Sequence, residues 1–238
     1  MDKVVLITGG TSGIGLSLAE AFLADGAAVA VCGRSPEALA RFTRAHPKAL
    51  AVQADVTLPS ARDALLNAVT ERFGRLDVLV NNAGTFVERD FTSGDTTETL
   101  DQEVALNLTA PIHLTGDVLR RWPALDAVVF VTSGFALVSP TRAPTYGAVK
   151  AGLHGFAEAL RRQLGSRGTH VLEVLPPTTD TPMNAATTGP KLPPAVVAAA
   201  TIDALRRRRP MALPGQTRLM PAMLRLAPRS LERMVAKL

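Results

Sequence analysis

Short apolar runs alternate along this chain with longer segments of helical period, and that alternation limits the fold more than any other feature. Val4–Ile7, Ala28–Cys32, Ala49–Gln53, Val78–Val80, Ala127–Thr132 and Val171–Leu175 read as strands. Helices are predicted near 13–24, 36–45, 59–72, 97–121 and 144–165. Strands that are apolar at successive positions, not at every second one, are covered on both faces. Strand–helix alternation of this kind implies a doubly wound parallel sheet in a three-layer α/β architecture. At 238 residues, 47% of them apolar, one domain can bury such a sheet.

After Pro182 the texture changes. Residues 189–194, Gly-Pro-Lys-Leu-Pro-Pro, read as loop, Ala195–Leu205 as a short helix and Met211–Leu213 as a last strand. Leu231, Met234, Val235 and Leu238 fall at i, i+3, i+4 and i+7, an amphipathic helix starting after Pro228. The net charge of +5 is concentrated here: residues 206–238 hold nine Lys or Arg against one acid, Glu232. Residues 1–215 are therefore expected to form the α/β domain. Residues 216–238 form a basic extension that packs on that domain or on a partner subunit, an anionic membrane surface being the lesser reading. The run Arg206–Arg209 reads as a solvated helix end.

Composition excludes several classes. One cysteine, Cys32, rules out an internal disulfide, and His46, His113, His154 and His170 are scattered without a metal-ligand spacing, so no metal is expected. Aromatics are 4% and not interleaved with arginines, which argues against nucleic-acid binding. The first residues lack the apolar core of a signal peptide and no run approaches transmembrane length, so a cytoplasmic protein is expected.

Chemistry enters at the first strand, which runs directly into Thr8-Gly9-Gly10-Thr11-Ser12-Gly13-Ile14-Gly15. Glycines at 9, 13 and 15 permit a tight turn, close approach of backbone to a pyrophosphate, and close packing of helix on strand. The free amides at the helix start favour the anion. The first two of these glycines are spaced wider than in the common dinucleotide fingerprint. Much later, Tyr146, the only tyrosine, precedes Lys150 by four residues, which puts phenol and ammonium on one helix face. A nearby cation favours the phenolate, and proton exchange with an alcohol oxygen needs such an acid–base group.

The glycine-loop variant together with Tyr-x-x-x-Lys resembles the short-chain dehydrogenase/reductase family, and further motifs agree in order. Asp55-Val56 matches the family's adenine-contacting pair, Asn81-Asn82-Ala83-Gly84 its Asn-Asn-Ala-Gly signature, Asn107 lies in the following helix, and Ser133 ends the fifth strand. The resemblance covers residues 3 to about 183 and implies a Rossmann-type domain.

It also implies roles. Ser133 would hold a substrate carbonyl oxygen while Tyr146 passes the proton, Lys150 would lower the tyrosine pKa and bind the nicotinamide ribose, and Asn107 would hold a water linking Lys150 to solvent. Cofactor contacts are expected at Gly9, Thr11, Ser12, Gly13, Ile14 and Gly15, at Asn82, Ala83 and Gly84, and at Pro176, Thr179 and Thr181. The second strand ends in Gly33-Arg34-Ser35 without an acid to repel a phosphate, so NADP(H) is expected over NAD(H), with Arg34 reading the phosphate. Pro176-Pro177 stands where members commonly carry Pro-Gly; some members carry Pro-Pro-x-x-Asp-Thr, and the change bears on the loop path.

Thr85–Val87, Phe135, Ala136, Leu137 and Met183 are candidate pocket walls, which suits an apolar ketone, aldehyde or secondary alcohol. Arg142 is the one charge near them and is expected in solvent. The resemblance points to a homodimer or homotetramer acting on a small carbonyl or alcohol. A carrier-linked acyl ketoreductase and a non-catalytic NADP(H) sensor remain as alternatives.

Overall fold

Seven strands, β1 (Val4–Thr8), β2 (Ala28–Gly33), β3 (Leu50–Gln53), β4 (Val78–Asn81), β5 (Ala127–Val131), β6 (His170–Val174) and β7 (Met211–Ala212), pair in the order β3-β2-β1-β4-β5-β6-β7. Every pairing is parallel. The computed structural model describes residues 3–93 and 97–236; Leu238, the last member of the predicted tail stripe, lies outside the described residues.

Successive residues of β1 point to opposite faces, and each face has its own core. Val4 and Leu6 meet α3 (Pro59–Phe73), α5 (Ala110–Arg121) and α6 (Pro144–Leu164) through side chains such as Leu65, Leu114 and Leu153. Val5 and Ile7 meet α1 (Gly13–Ala24), α2 (Pro36–Ala45) and α7 (Pro194–Arg206) through Leu18, Phe42 and Val197. The continuously apolar strands are the consequence of this two-sided burial. Because β1 lies between β2 and β4, the chain reverses its direction of winding there, and a crevice opens above the strand ends.

The helix predicted over 97–121 is interrupted: α4 (Leu100–Val104) passes through a π turn, Ala105–Thr109, before α5 begins. Pro111 supplies the reason. It has no amide to give the carbonyl four residues back, that of Asn107, and its ring crowds the same carbonyl, so the helix widens at that turn.

Beyond β7 the chain forms α8 (Met220–Leu226) and α9 (Pro228–Val235), the first of which the sequence pattern did not signal. Met220, Leu231 and Val235 are buried in a third cluster against Phe135, Leu137 and Val138. The arginine run is more than a solvated end: Arg208 takes a left-handed φ of 49°, its guanidinium donates to the Gly168 carbonyl at 2.6 Å, and Arg207 pairs with Asp203 at 2.6 Å.

Candidate active site

The turn after β1 is shaped by what cannot fit there. Gly9 has φ +64°, the left-handed region, and a Cβ at Gly15 would overlap the Gly9 carbonyl oxygen. The loop is braced from β4. The Thr8 hydroxyl accepts from the Asn82 and Ala83 amides, both at 3.0 Å, while Asn82 Nδ2 donates to the Thr8 and Gly9 carbonyls at 2.9 and 3.2 Å. Asn82 therefore acts on the loop as a strut. Gly9, Ser12, Gly13 and Ile14 line one end of the cleft.

Across the cleft the predicted catalytic four come together, with Asn107, Ser133, Tyr146 and Lys150 all buried and all facing it. Ser133 lies two residues past the end of β5, and its hydroxyl accepts from the Phe135 amide at 3.1 Å, capping the short turn Gly134–Ala136. Lys150 Nζ donates to the Val131 carbonyl at 3.1 Å and stands 5.6 Å from the centre of the Tyr146 ring. Asn107 bridges both backbone groups of Thr85, Oδ1 accepting from its amide at 3.1 Å and Nδ2 donating to its carbonyl at 3.0 Å. A Cβ at Gly84 would come within 2.7 Å of Asn107 Oδ1, so this close approach needs glycine. The Asn107 side chain is thus committed to the residue that follows the Asn-Asn-Ala-Gly turn.

The charge balance also differs from expectation. Burial pushes the Tyr146 phenol up to about 12; the Ser133 hydroxyl works against this, and Glu103 adds to it. Burial therefore outweighs any pull of the kind the sequence assigned to Lys150, whose ammonium donates to the Val131 carbonyl and lies over the ring. Lys150 is itself pushed down to about 8 by burial, against an upward pull from Glu173. Burial thus favours the protonated phenol at Tyr146.

A family model described as short chain dehydrogenase matches residues 3–191. The chain belongs to that family. It is 41% identical over 187 residues to the uncharacterized oxidoreductase DltE of Bacillus subtilis, covering 77% of this chain and 74% of that one. A short-chain dehydrogenase from Sphingobium yanoikuyae in complex with NADPH superposes with a TM-score of 0.82 at 27% identity, covering 97% of this chain and 95% of that one. The 3-ketoacyl-(acyl-carrier-protein) reductase of Brucella melitensis complexed with NADH superposes with a TM-score of 0.80 at 26% identity, covering 85% and 90%.

Within this short-chain dehydrogenase the remaining expected residues divide. Ala83, Gly84, Pro176, Thr179 and Thr181 line the same cleft. Thr11, Gly15, Arg34, Asp55 and Val56 lie outside its lining. Gly15 is spent on packing, and the Thr11 hydroxyl would lie 3.2 Å from a Cβ at Gly33, at the end of β2. Arg34 follows β2, with its charge holding the Asp55 carboxyl below its ordinary value together with the Thr57 hydroxyl and amide, although partial burial is the largest single influence and opposes them. Val56 is buried, and its carbonyl accepts from Arg62 at 3.1 Å.

The loop after β6 accommodates Pro177 through its neighbours. Thr179 Oγ1 donates to the Pro177 carbonyl at 2.8 Å, Thr179 bridges to Leu192, and Asn184 Nδ2 donates to the Thr179 carbonyl at 2.9 Å. Thr85, Phe86, Phe135 and Met183 do form wall, whereas Ala136 and Leu137 turn away from the cleft, Leu137 into the tail cluster. Arg142 is not simply solvated. Its guanidinium lies 4.9 Å from the Phe86 ring centre and pairs with Glu88, and Phe86 meets Tyr146 edge-on at 4.9 Å. A buried knot unforeseen in the sequence sits behind this wall. Arg89 donates to Glu103 at 3.1 Å and to Thr145 at 3.1 Å, and Thr145 donates to Glu103 at 2.6 Å, fixing the residue before Tyr146.

Proposed function

We propose that this chain is an NADP(H)-dependent carbonyl reductase or alcohol dehydrogenase that acts on an apolar small molecule. The observation that carries the reading is a buried Tyr146 at the same cleft wall as the Ser133 hydroxyl, across from the glycine turn of Gly9, Ser12, Gly13 and Ile14. A bound nicotinamide would supply or accept the hydride. Gly9, Ser12, Gly13 and Ile14 would hold its pyrophosphate through backbone amides, and Thr181 and Lys150 the nicotinamide end. Ser133 fixes the carbonyl oxygen, and Tyr146 gives it a proton as negative charge develops there; in reverse the phenolate takes the proton of the alcohol. Asn107 ties Thr85, and with it the turn carrying Ala83 and Gly84, to the π turn.

Phe86, Phe135 and Met183 support an apolar substrate. Arg34, beside a strand end without an acid, supports NADPH over NADH. A homodimer or homotetramer in the cytoplasm completes the reading. A carrier-linked acyl ketoreductase is the second reading, favoured by the similarity to an acyl-carrier-protein reductase and by the basic tail.

The test is consumption of NADPH and NADH with a panel of free and carrier-linked carbonyl compounds, run beside Tyr146→Phe. Turnover preferring NADPH, reduced about 1,000-fold or more in the variant while NADPH binding persists, is expected. Tight NADPH binding with no turnover of any compound would indicate the sensor instead. Arg34→Ala is expected to erode the preference for NADPH by about 10- to 100-fold, the worth of a charge-assisted phosphate contact.

A further inference from the structure

Glu173 is a buried carboxylate in β6, the strand next to the sheet edge formed by β7. It stands beside Phe130 of β5 and Met211 of β7, and is 1% exposed. Burying a charge there is costly unless something compensates it. Both oxygens are occupied: Oε1 accepts from the Thr132 hydroxyl at 2.6 Å, and Oε2 meets His154 Nδ1 at 2.7 Å. Thr132 is the residue before Ser133, and His154 is one helical turn beyond Lys150 on the same face of α6. The carboxylate is therefore held by Thr132, next to Ser133, and by His154, one turn beyond Lys150, and it lies outside the residues that line the cleft.

We infer that Glu173 is a positioning residue whose buried negative charge keeps Lys150 an ammonium in a site dry enough to strip its proton. The inference rests on the reading of Lys150 as part of the catalytic group. Among the described residues the Lys150 amine donates to the Val131 carbonyl, an acceptor that carries no charge. Burial drives the amine toward its neutral form, and Glu173 is the charge that opposes this. Thr132 and His154 fix the carboxylate so that its charge stays where it is needed.

His154 completes the arrangement. Its hydrogen bond to Glu173 raises its pKa, burial opposes this, and the charges of Glu173 and Glu158 raise it further against Arg161. These, with Lys150 on the same helix, are the charged groups facing the pair from α6 and β6. Arg161 is turned to the Val171 and Pro210 carbonyls at 3.1 and 2.9 Å. As pH rises and His154 loses its proton, Glu173 is left with Lys150 as its counter-charge, so the support for the ammonium strengthens where the amine is closest to losing its proton.

The experiment is a pH titration of the lysine side chains by 13Cε NMR, in wild type, Glu173→Gln and Glu173→Asp. The chain has five lysines, Lys3, Lys48, Lys150, Lys191 and Lys237, and Lys150→Arg identifies the resonance. Removing the charge is expected to lower the Lys150 midpoint by about one pH unit, a tenfold change in its acid constant, with a smaller downward shift when Asp withdraws the carboxylate by one methylene. The alkaline edge of NADPH turnover should move the same way, which loss of packing alone would not cause. Should the Gln variant fail to fold, the Asp variant decides. A Lys150 midpoint unmoved in whichever variants keep the native far-UV CD spectrum overturns the inference. The resonance reads charge without turnover, so a wild type inactive on every carbonyl would sink the proposed function and leave this result to stand or fall by itself.

Discussion

The two ends of the cleft are built from different materials. At the glycine end, β1, the turn to Gly15 and the start of α1 present backbone, and the shape depends on side chains that are missing. At the Ser133 end, surfaces converge from far apart in the chain: Arg142 lies over Phe86, which meets Tyr146 edge-on, and Met220, Leu231 and Val235 of the tail pack on Phe135 behind the serine. Backbone amides suit a ligand part common to every turnover, whereas replaceable side chains suit the part that differs between substrates. This contrast makes the first end intolerant of any added atom and the second tolerant of change at a cost in stability.

The largest effect is expected from Gly15→Val. Its Cβ overlaps the Gly9 carbonyl oxygen, so the turn must open; nucleotide affinity should fall about 1,000-fold (~4 kcal/mol). Calorimetric binding of NADPH checks this, and retained affinity would break the contrast at its firmer end.

Leu231→Ala comes next. The side chain is fully buried in the tail cluster, so its truncation should cost about 3 kcal/mol of stability. It should raise KM for the carbonyl substrate through Phe135 and leave NADPH affinity unchanged. An equal loss at both ends would show that the tail supports the whole cleft.

Lys150→Met is the smallest and lies between the two ends. A lysine pKa of about 8 in the fold against 10.5 in the unfolded chain means the folded state binds fewer protons between those values. The penalty is fully present below pH 8 and is lost as pH rises from 8 to 10.5, so wild-type stability from this group rises across that window. The shift corresponds to ~3 kcal/mol, and loss of the bond to the Val131 carbonyl takes back about 1, leaving a net gain of ~2 kcal/mol near pH 7. Thermal unfolding from pH 6 to 10.5 should show the variant more stable at the acidic end and the advantage vanishing toward the alkaline end.

The glycine turn, the strand segments and the Tyr146–Lys150 pair were legible because each is written locally, as a residue type at a strand end or on a helix face, whereas the grouping of Asn107 and Ser133 with that pair followed from the resemblance to the family. The π turn at Asn107 was legible in principle, since Pro111 stands four residues after it, but a helical period of apolar residues hides a break that leaves the period nearly intact. Arg142 read as solvated because its partners, Phe86 and Glu88, lie more than fifty residues earlier. The sign of the Tyr146 shift was missed for a related reason. A Tyr–Lys spacing reports that two groups are close, but not how dry the space between them is.

Sequence alone determined which segments become strands and helices, that both faces of the sheet are covered, and where the backbone must run without side chains. Those follow from periodicity and from conformations open only to glycine. Tertiary structure decided what surrounds each group: Glu173 behind Lys150, the Arg89–Glu103 knot behind Tyr146, and the tail against Phe135. Burial and opposing charge set the protonation of Tyr146 and Lys150, and both are properties of the packed whole that no window of sequence contains.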